Sequence, residues 1–191
     1  MKFYEVTCTD TYAQAYYIND MANKKFCEEC EHVYEKERYA DYKVKFIGKR
    51  IADFYQAPGC YIGNKKFIGM LENYGITGYG IRGIDCVSWT DKRGNPIKGN
   101  VDELSEITIE VKCGALHHLD GSIVEGCPKC GMVSFQEQVI GLQVTDWDGS
   151  DIFSFSNWIG VMICSEKLKE ACEKEKIKGI SFIPIEKLHL W

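Results

Sequence analysis

The chain has 191 residues, is 45% hydrophobic and 13% aromatic, and carries a net charge of −5. That apolar content supports a packed core and excludes a disordered tail. The acidic balance argues against general nucleic-acid binding, which needs a basic footprint.

In chain order, MKFYEVTCTD opens without the apolar region and cleavage site of a secretory signal, so the cytoplasm is the expected compartment. "YEVTC" (4–8) alternates as a half-buried strand does. A long loop then leads to "FCEECEH", which holds Cys27 and Cys30. "YKVKFIGKR" (42–50) is basic; it reads as a strand with a solvated edge, or else as the one face suited to nucleic acid. "CYIG" (60–63) is apolar enough for a buried strand. "NKKFIGMLENYGITGYGIRGID" (64–85) begins on a good N-cap, Asn64, and reads as a short amphipathic helix running into a strand. Phe67, Met70, Leu71 and Ile76 fall on its inward side. "GYGIRG" (78–83) matches a dinucleotide-binding pattern only in letters, because a helix precedes it and a strand follows. "TDKRGNPIKGNVDE" (90–103) has the Gly, Pro, Asn and charge of a linker.

The second half repeats this order. "IEVKC" (109–113) resembles "YEVTC", and "VMIC" (161–164) resembles "CYIG". "CPKCG" (127–131) places Cys127 and Cys130 100 residues beyond Cys27 and Cys30. "SEKLKEACEKEKIKGISFIPIE" (165–186) lies over 64–85 at a spacing of 101, with Ser165 on Asn64, Leu168 on Phe67, Ala171 on Met70 and Ile177 on Ile76. Cys172 joins the inward side. Such self-similarity implies a duplication. The expected fold is α+β: two duplicated strand-rich halves, 1–95 and 96–191, each with a helix–strand unit, joined as one compact unit by a shared zinc-knuckle site. The longest apolar run, Trp158 to Cys164, is far too short to span a bilayer.

Ten cysteines in a cytosolic chain point to metal or to buried thiols rather than to a disulfide scaffold. Cys27, Cys30, Cys127 and Cys130 would form one closed, structural four-thiolate zinc site. Two other arrangements stay open. One is a pair of sites, with Cys8, Cys27, Cys30 and His32 in the first and Cys113, Cys127, Cys130 and His117 or His118 in the second. The other has no metal and only buried thiols. Glu31 stands where the usual Gly follows the second cysteine, which makes a left-handed turn harder. Cys60, Cys86, Cys164 and Cys172 fall on apolar, core-like positions. No nucleophile elbow, Walker sequence or zinc-protease helix is present, so the sequence does not ask for an enzyme.

Charge is uneven: residues 1–100 carry net +2 and residues 101–191 net −7. "TDWDGSDIF" (145–153) places Asp146, Asp148 and Asp151 around Trp147. That is an aromatic anchor ringed by carboxylates, suited to a basic protein partner, or else a plain turn with its Trp tucked inward.

The widely spaced Cys-x-x-Cys turns, Asp-Ile-Phe at 151–153, the strand after it, "SEKLKEA" and the Gly-led strand ending in Pro resemble the bacterial double-CXXCG motif proteins. These look related to immunity proteins of polymorphic toxin systems. The resemblance implies a zinc-bearing immunity protein that binds and neutralises a cognate protein toxin; the short apolar runs lead us to expect no membrane partner. The alternative is a zinc-ribbon interaction module contacting nucleic acid or a regulatory protein.

Overall fold

The computed structural model describes residues 1–19, 22–97, 103–133 and 139–190. The first half runs β1 (Phe3–Cys8), β2 (Gln14–Asn19), β3 (Ala22–Phe26), β4 (Val33–Arg38), β5 (Tyr42–Ile47), β6 (Phe54–Ala57), β7 (Cys60–Asn64), α1 (Lys65–Asn73), β8 (Tyr79–Arg82) and β9 (Ile84–Thr90). The second runs β10 (Leu104–Ile109), β11 (Lys112–Cys113), β12 (Val139–Ile140), β13 (Ile152–Phe155), β14 (Trp158–Ser165), α2 (Glu166–Lys174), β15 (Ile180–Pro184) and β16 (His189–Leu190).

The expected α+β class is therefore corrected. Strand is the dominant regular structure among the described residues, arranged in several sheets, with two α-helices of nine residues each. The helical periodicity of 65–73 and 166–174 is real but local. Much of the remaining chain is strand that alternation does not announce: β3 reads ANKKF and has no buried residue, and β4 reads VYEKER. β5 shows the opposite case, with Tyr42, Val44 and Phe46 buried and Lys43 and Lys45 in solvent. It is the central strand of the β2-β5-β9 sheet, so the basic "YKVKFIGKR" segment begins as a solvated sheet face.

The helix–strand unit also fails as a building block. The strand after each helix does not pair with the hairpin before it. A strand from the other half lies between them. The four-stranded sheet has the order β6-β7-β10-β8, so β10 sits between β7 and β8. The five-stranded sheet has the order β11-β13-β14-β1-β15, so β1 sits between β14 and β15. The registers correspond: Phe3 faces Ser165, and Leu104 faces Asn64. The edge bonds correspond too, Thr9 N to Gly179 O and Glu110 N to Gly78 O. Gly78 and Gly179 both have positive φ, and a Cβ on either would collide with the carbonyl oxygen of a crossing strand, Ile152 and Phe54 respectively. Only glycine fits such a close approach at that φ.

The segment expected as a linker folds locally over its described part, 90–97, where Asp91 accepts hydrogen bonds from the backbone of Arg93 and Asn95; residues 98–102 lie outside the described residues. One apolar core draws on both halves, including Val6, Phe54, Phe67, Leu71, Ile107, Ile152, Met162 and Leu168. All the expected inward residues are buried except Ile177, which is half-buried against this core. Each fully buried side chain of this size contributes about 1.5–3 kcal/mol. A second cluster around Val44, Phe46 and Trp89 serves the first half, and a third around Leu116, Phe153 and Phe155 serves the second. Cys60, Cys164 and Cys172 are in these cores as expected, whereas Cys86 is only half-buried.

Candidate metal centre

Each Cys-x-x-Cys turn closes through the same two backbone bonds. In the first, Glu31 N donates to Cys27 O at 2.9 Å and Cys27 N to His32 O at 2.9 Å. In the second, Gly131 N donates to Cys127 O at 2.7 Å and Cys127 N to Met132 O at 2.9 Å. Both turns need a left-handed residue after the second cysteine. Gly131 has φ 73°, and Glu31 adopts φ 58° despite its Cβ. The turn geometry therefore overrides the residue preference at Glu31.

The two turns meet face to face. Cys27 Sγ lies 3.7 Å from Cys127 Sγ, and Cys30 Sγ lies 3.5 Å from Cys130 Sγ. All four sulfurs fall within 4.8 Å of one another. A disulfide needs about 2.05 Å, so these are four separate thiols. A tetrahedral ion with metal–sulfur bonds of about 2.3 Å sets its sulfurs about 3.8 Å apart. The cluster has that size, and its all-sulfur donor set suits a soft or borderline cation. The residues present fit a single metal ion, and among the described residues the converging donors are the four sulfurs.

The surroundings favour thiolate unevenly. Backbone N–H groups of Cys30 and Glu29 bring the Cys27 thiol down to about 7. Cys30 receives the His32 N–H, but burial and three neighbouring thiols outweigh it and push the group up to about 12. A bound cation would favour the thiolate form of all four sulfurs. A side-chain contact also ties the turns together, since Lys129 Nζ donates to the Glu28 carboxylate.

The structure gathers the ligands of the one-site arrangement. Among the described residues, no other group of three or more potential ligands converges. Cys8 lies on β1, its N–H donating to Gln56 Oε1. Cys113 is buried in the second-half cluster. His117 Nδ1 is engaged with Ala115 O at 2.7 Å and Thr145 Oγ1 at 3.0 Å.

The acidic loop does not form a ring around Trp147. Asp146 and Asp148 are exposed, and Asp148 accepts from Ser150 N in a tight turn. Trp147 packs edge-on against Phe3 at 5.3 Å and donates its indole N–H to Ser150 O. Asp151 is buried and serves the fold. Its carboxylate accepts from Ser165 Oγ, Thr77 N and Lys167 Nζ. The carboxylates thus split between surface and interior, because β13 starts at Ile152 and draws Asp151 inward.

Asp151 has a counterpart that sequence reasoning missed. Asp53 accepts from Asn64 Nδ2, Lys66 Nζ and Lys178 N. Asn64 and Ser165, Lys66 and Lys167, and Thr77 and Lys178 are each 101 residues apart. Each aspartate therefore ties its own helix start to the loop after the other half's helix. The available signal was an Asp ahead of each N-cap position and a Lys two residues after it. Ser165 stands at the N-cap position of α2, but its hydroxyl goes to Asp151 and makes no cap bond, whereas Asn64 does cap α1.

No helix among the described residues is long and apolar enough to cross a membrane. The sequence matches no protein-family model and no curated protein.

Proposed function

We propose that this chain is a non-catalytic binding protein, stapled by one structural zinc on Cys27, Cys30, Cys127 and Cys130, that acts in the cytoplasm as an immunity protein against a cognate toxin of a polymorphic toxin system. The observation that carries the metal assignment is the convergence of four sulfurs from segments 100 residues apart. Four protein thiolates fill a tetrahedral shell and leave no position for water or substrate, as a structural rather than catalytic ion requires. The staple joins one turn from each half of a duplicated chain, so its binding energy adds to folding energy. The immunity assignment is supported by the resemblance of the paired knuckles, Asp-Ile-Phe and "SEKLKEA" to the double-CXXCG proteins.

The test is co-expression with the product of the neighbouring gene in a host that this product kills. The expected result is restored growth and a co-purifying complex. A host that dies despite folded, zinc-loaded chain would overturn the immunity assignment and leave the zinc assignment standing.

A further inference from the structure

Two turns of the first half build a basic hollow that shares no residue with the metal centre. One follows β5 at Gly48 and Lys49; the other follows β9 at Asp91, Lys92 and Arg93. These five residues line an open depression of about 370 Å³. Hydrogen bonds lock the turns to each other: Gly48 N donates to Thr90 O at 2.8 Å, and Trp89 Nε1 donates to Gly48 O at 2.8 Å. The second turn is closed by Gly94 N on Asp91 O at 3.0 Å and by Asp91 N on Asn95 O at 2.8 Å.

The charges in the hollow are unequal. Asp91 is the carboxylate of the lining, against Lys49, Lys92 and Arg93. It is buried, and its oxygens are engaged inside the turn by Arg93 N, Asn95 N and the Asn95 side chain. Lys49 Nζ reaches it at 3.4 Å, so that cation is balanced. Lys92 and Arg93 are exposed, and neither side chain makes an ion pair among the described residues. Two adjacent positive charges thus face solvent on a rigid turn of a chain whose net charge is −5.

We propose that this hollow is a binding site for the polyphosphate group of a small ligand, held by Lys92 and Arg93. A carboxylate brings one charge, whereas a phosphate monoester carries about −1.5 to −2 at pH 7 on three acceptor oxygens, so one group engages both free cations. The Arg93 guanidinium offers a planar fork matched to two phosphate oxygens, and Lys92 offers a point charge. The hydrogen bonds around Asp91 order the turn before any ligand arrives, which lowers the cost of binding. A hollow of about 370 Å³ lies at the small end of ligand clefts. A single nucleic-acid strand calls for stacking aromatics beside its cations, and the lining residues are Gly48, Lys49, Asp91, Lys92 and Arg93, without an aromatic ring. The site needs neither zinc nor a toxin partner.

The probe is inorganic pyrophosphate, titrated into zinc-loaded full-length chain and read by isothermal titration calorimetry. Saturable binding is expected. The double variant Lys92→Glu, Arg93→Glu, at two exposed turn positions, is expected to weaken it by about tenfold or more. The charge-matched control Lys65→Glu, Lys187→Glu, outside the hollow, is expected to change it less than about twofold. Heat from any zinc drawn off by the probe is common to both variants and cannot produce that difference. Absence of saturable binding, equal loss in both double variants, equal affinity for the small carboxylate tricarballylate, or tighter binding of an oligothymidine would each overturn the proposal. Should the turn variant fail to fold, the wild-type salt titration decides: pyrophosphate affinity is expected to fall as NaCl rises, and an affinity indifferent to salt refutes the site.

Discussion

Replacing Asp151 by Ala tests how the halves are tied together. The carboxylate accepts four hydrogen bonds: from Ser165 Oγ at 2.8 Å, Thr77 N at 3.1 Å, Thr77 Oγ1 at 3.3 Å and Lys167 Nζ at 2.9 Å. Alanine strands the buried Ser165 hydroxyl, at about 1–3 kcal/mol, and releases the N–H and hydroxyl of exposed Thr77 to water, so those two bonds add less. Lys167 is half-exposed and turns to water, so its ion pair adds little. The expected loss is about 3 kcal/mol, a large part of the roughly 5–15 kcal/mol that stabilises a typical domain. Asp53→Ala is expected to cost about 2 kcal/mol, since two of its three donors belong to exposed Lys66 and Lys178. The two carboxylates share no partner, so the double variant should lose about 5 kcal/mol. Urea unfolding of the zinc-loaded protein, followed by tryptophan fluorescence, reads all three. A loss below about 1 kcal/mol for Asp151→Ala, or a strongly non-additive double variant, would refute the reasoning.

Three further outcomes follow from single sites. Glu31→Gly relieves the left-handed strain at φ 58° while loosening the unfolded chain, and should raise stability by about 0.5 kcal/mol, whereas Gly131→Ala should lower it by about 1 kcal/mol; thermal unfolding with zinc bound that shows no difference between the two would contradict the matched-turn geometry. Tyr61→Phe strands the buried Met162 N–H, which donates to the Tyr61 hydroxyl at 2.8 Å, and should cost about 1–2 kcal/mol in urea unfolding; wild-type stability would contradict it. Asp91, held by the Asn95 side chain and by the backbone N–H groups of Asn95 and Arg93, has its carboxyl lowered from 3.8 to about 2. A depressed folded value means its contribution is complete above pH 3.8 and is lost as pH falls through about 2; an NMR titration placing its midpoint near 4 would refute the turn's role.

What the sequence revealed was local. The two cysteine pairs, the helix faces at Phe67 to Leu71 and Leu168 to Cys172, and the recurrence at 100 to 101 residues are readable because each is a short pattern of residue types. The class assignment went astray because helical periodicity is conspicuous over nine residues, whereas strands such as ANKKF carry too few apolar residues to alternate visibly. The exchange of β1 and β10 between halves was hidden for a different reason. Both strands look the same in sequence whichever neighbours they pair with, and the choice is made by long-range contacts such as Tyr4 against Cys164 and Pro184. Asp53 and Asp151 were obscure because their partners include backbone N–H groups, which no residue letter records.

X-ray absorption at the zinc edge, together with elemental analysis of protein purified without added metal, tests the metal centre most directly. One zinc per chain, surrounded by four sulfurs at about 2.3 Å, is the expected result. Metal-free protein with the same unfolding transition, or a shell in which nitrogen replaces any of Cys27, Cys30, Cys127 and Cys130, would contradict it.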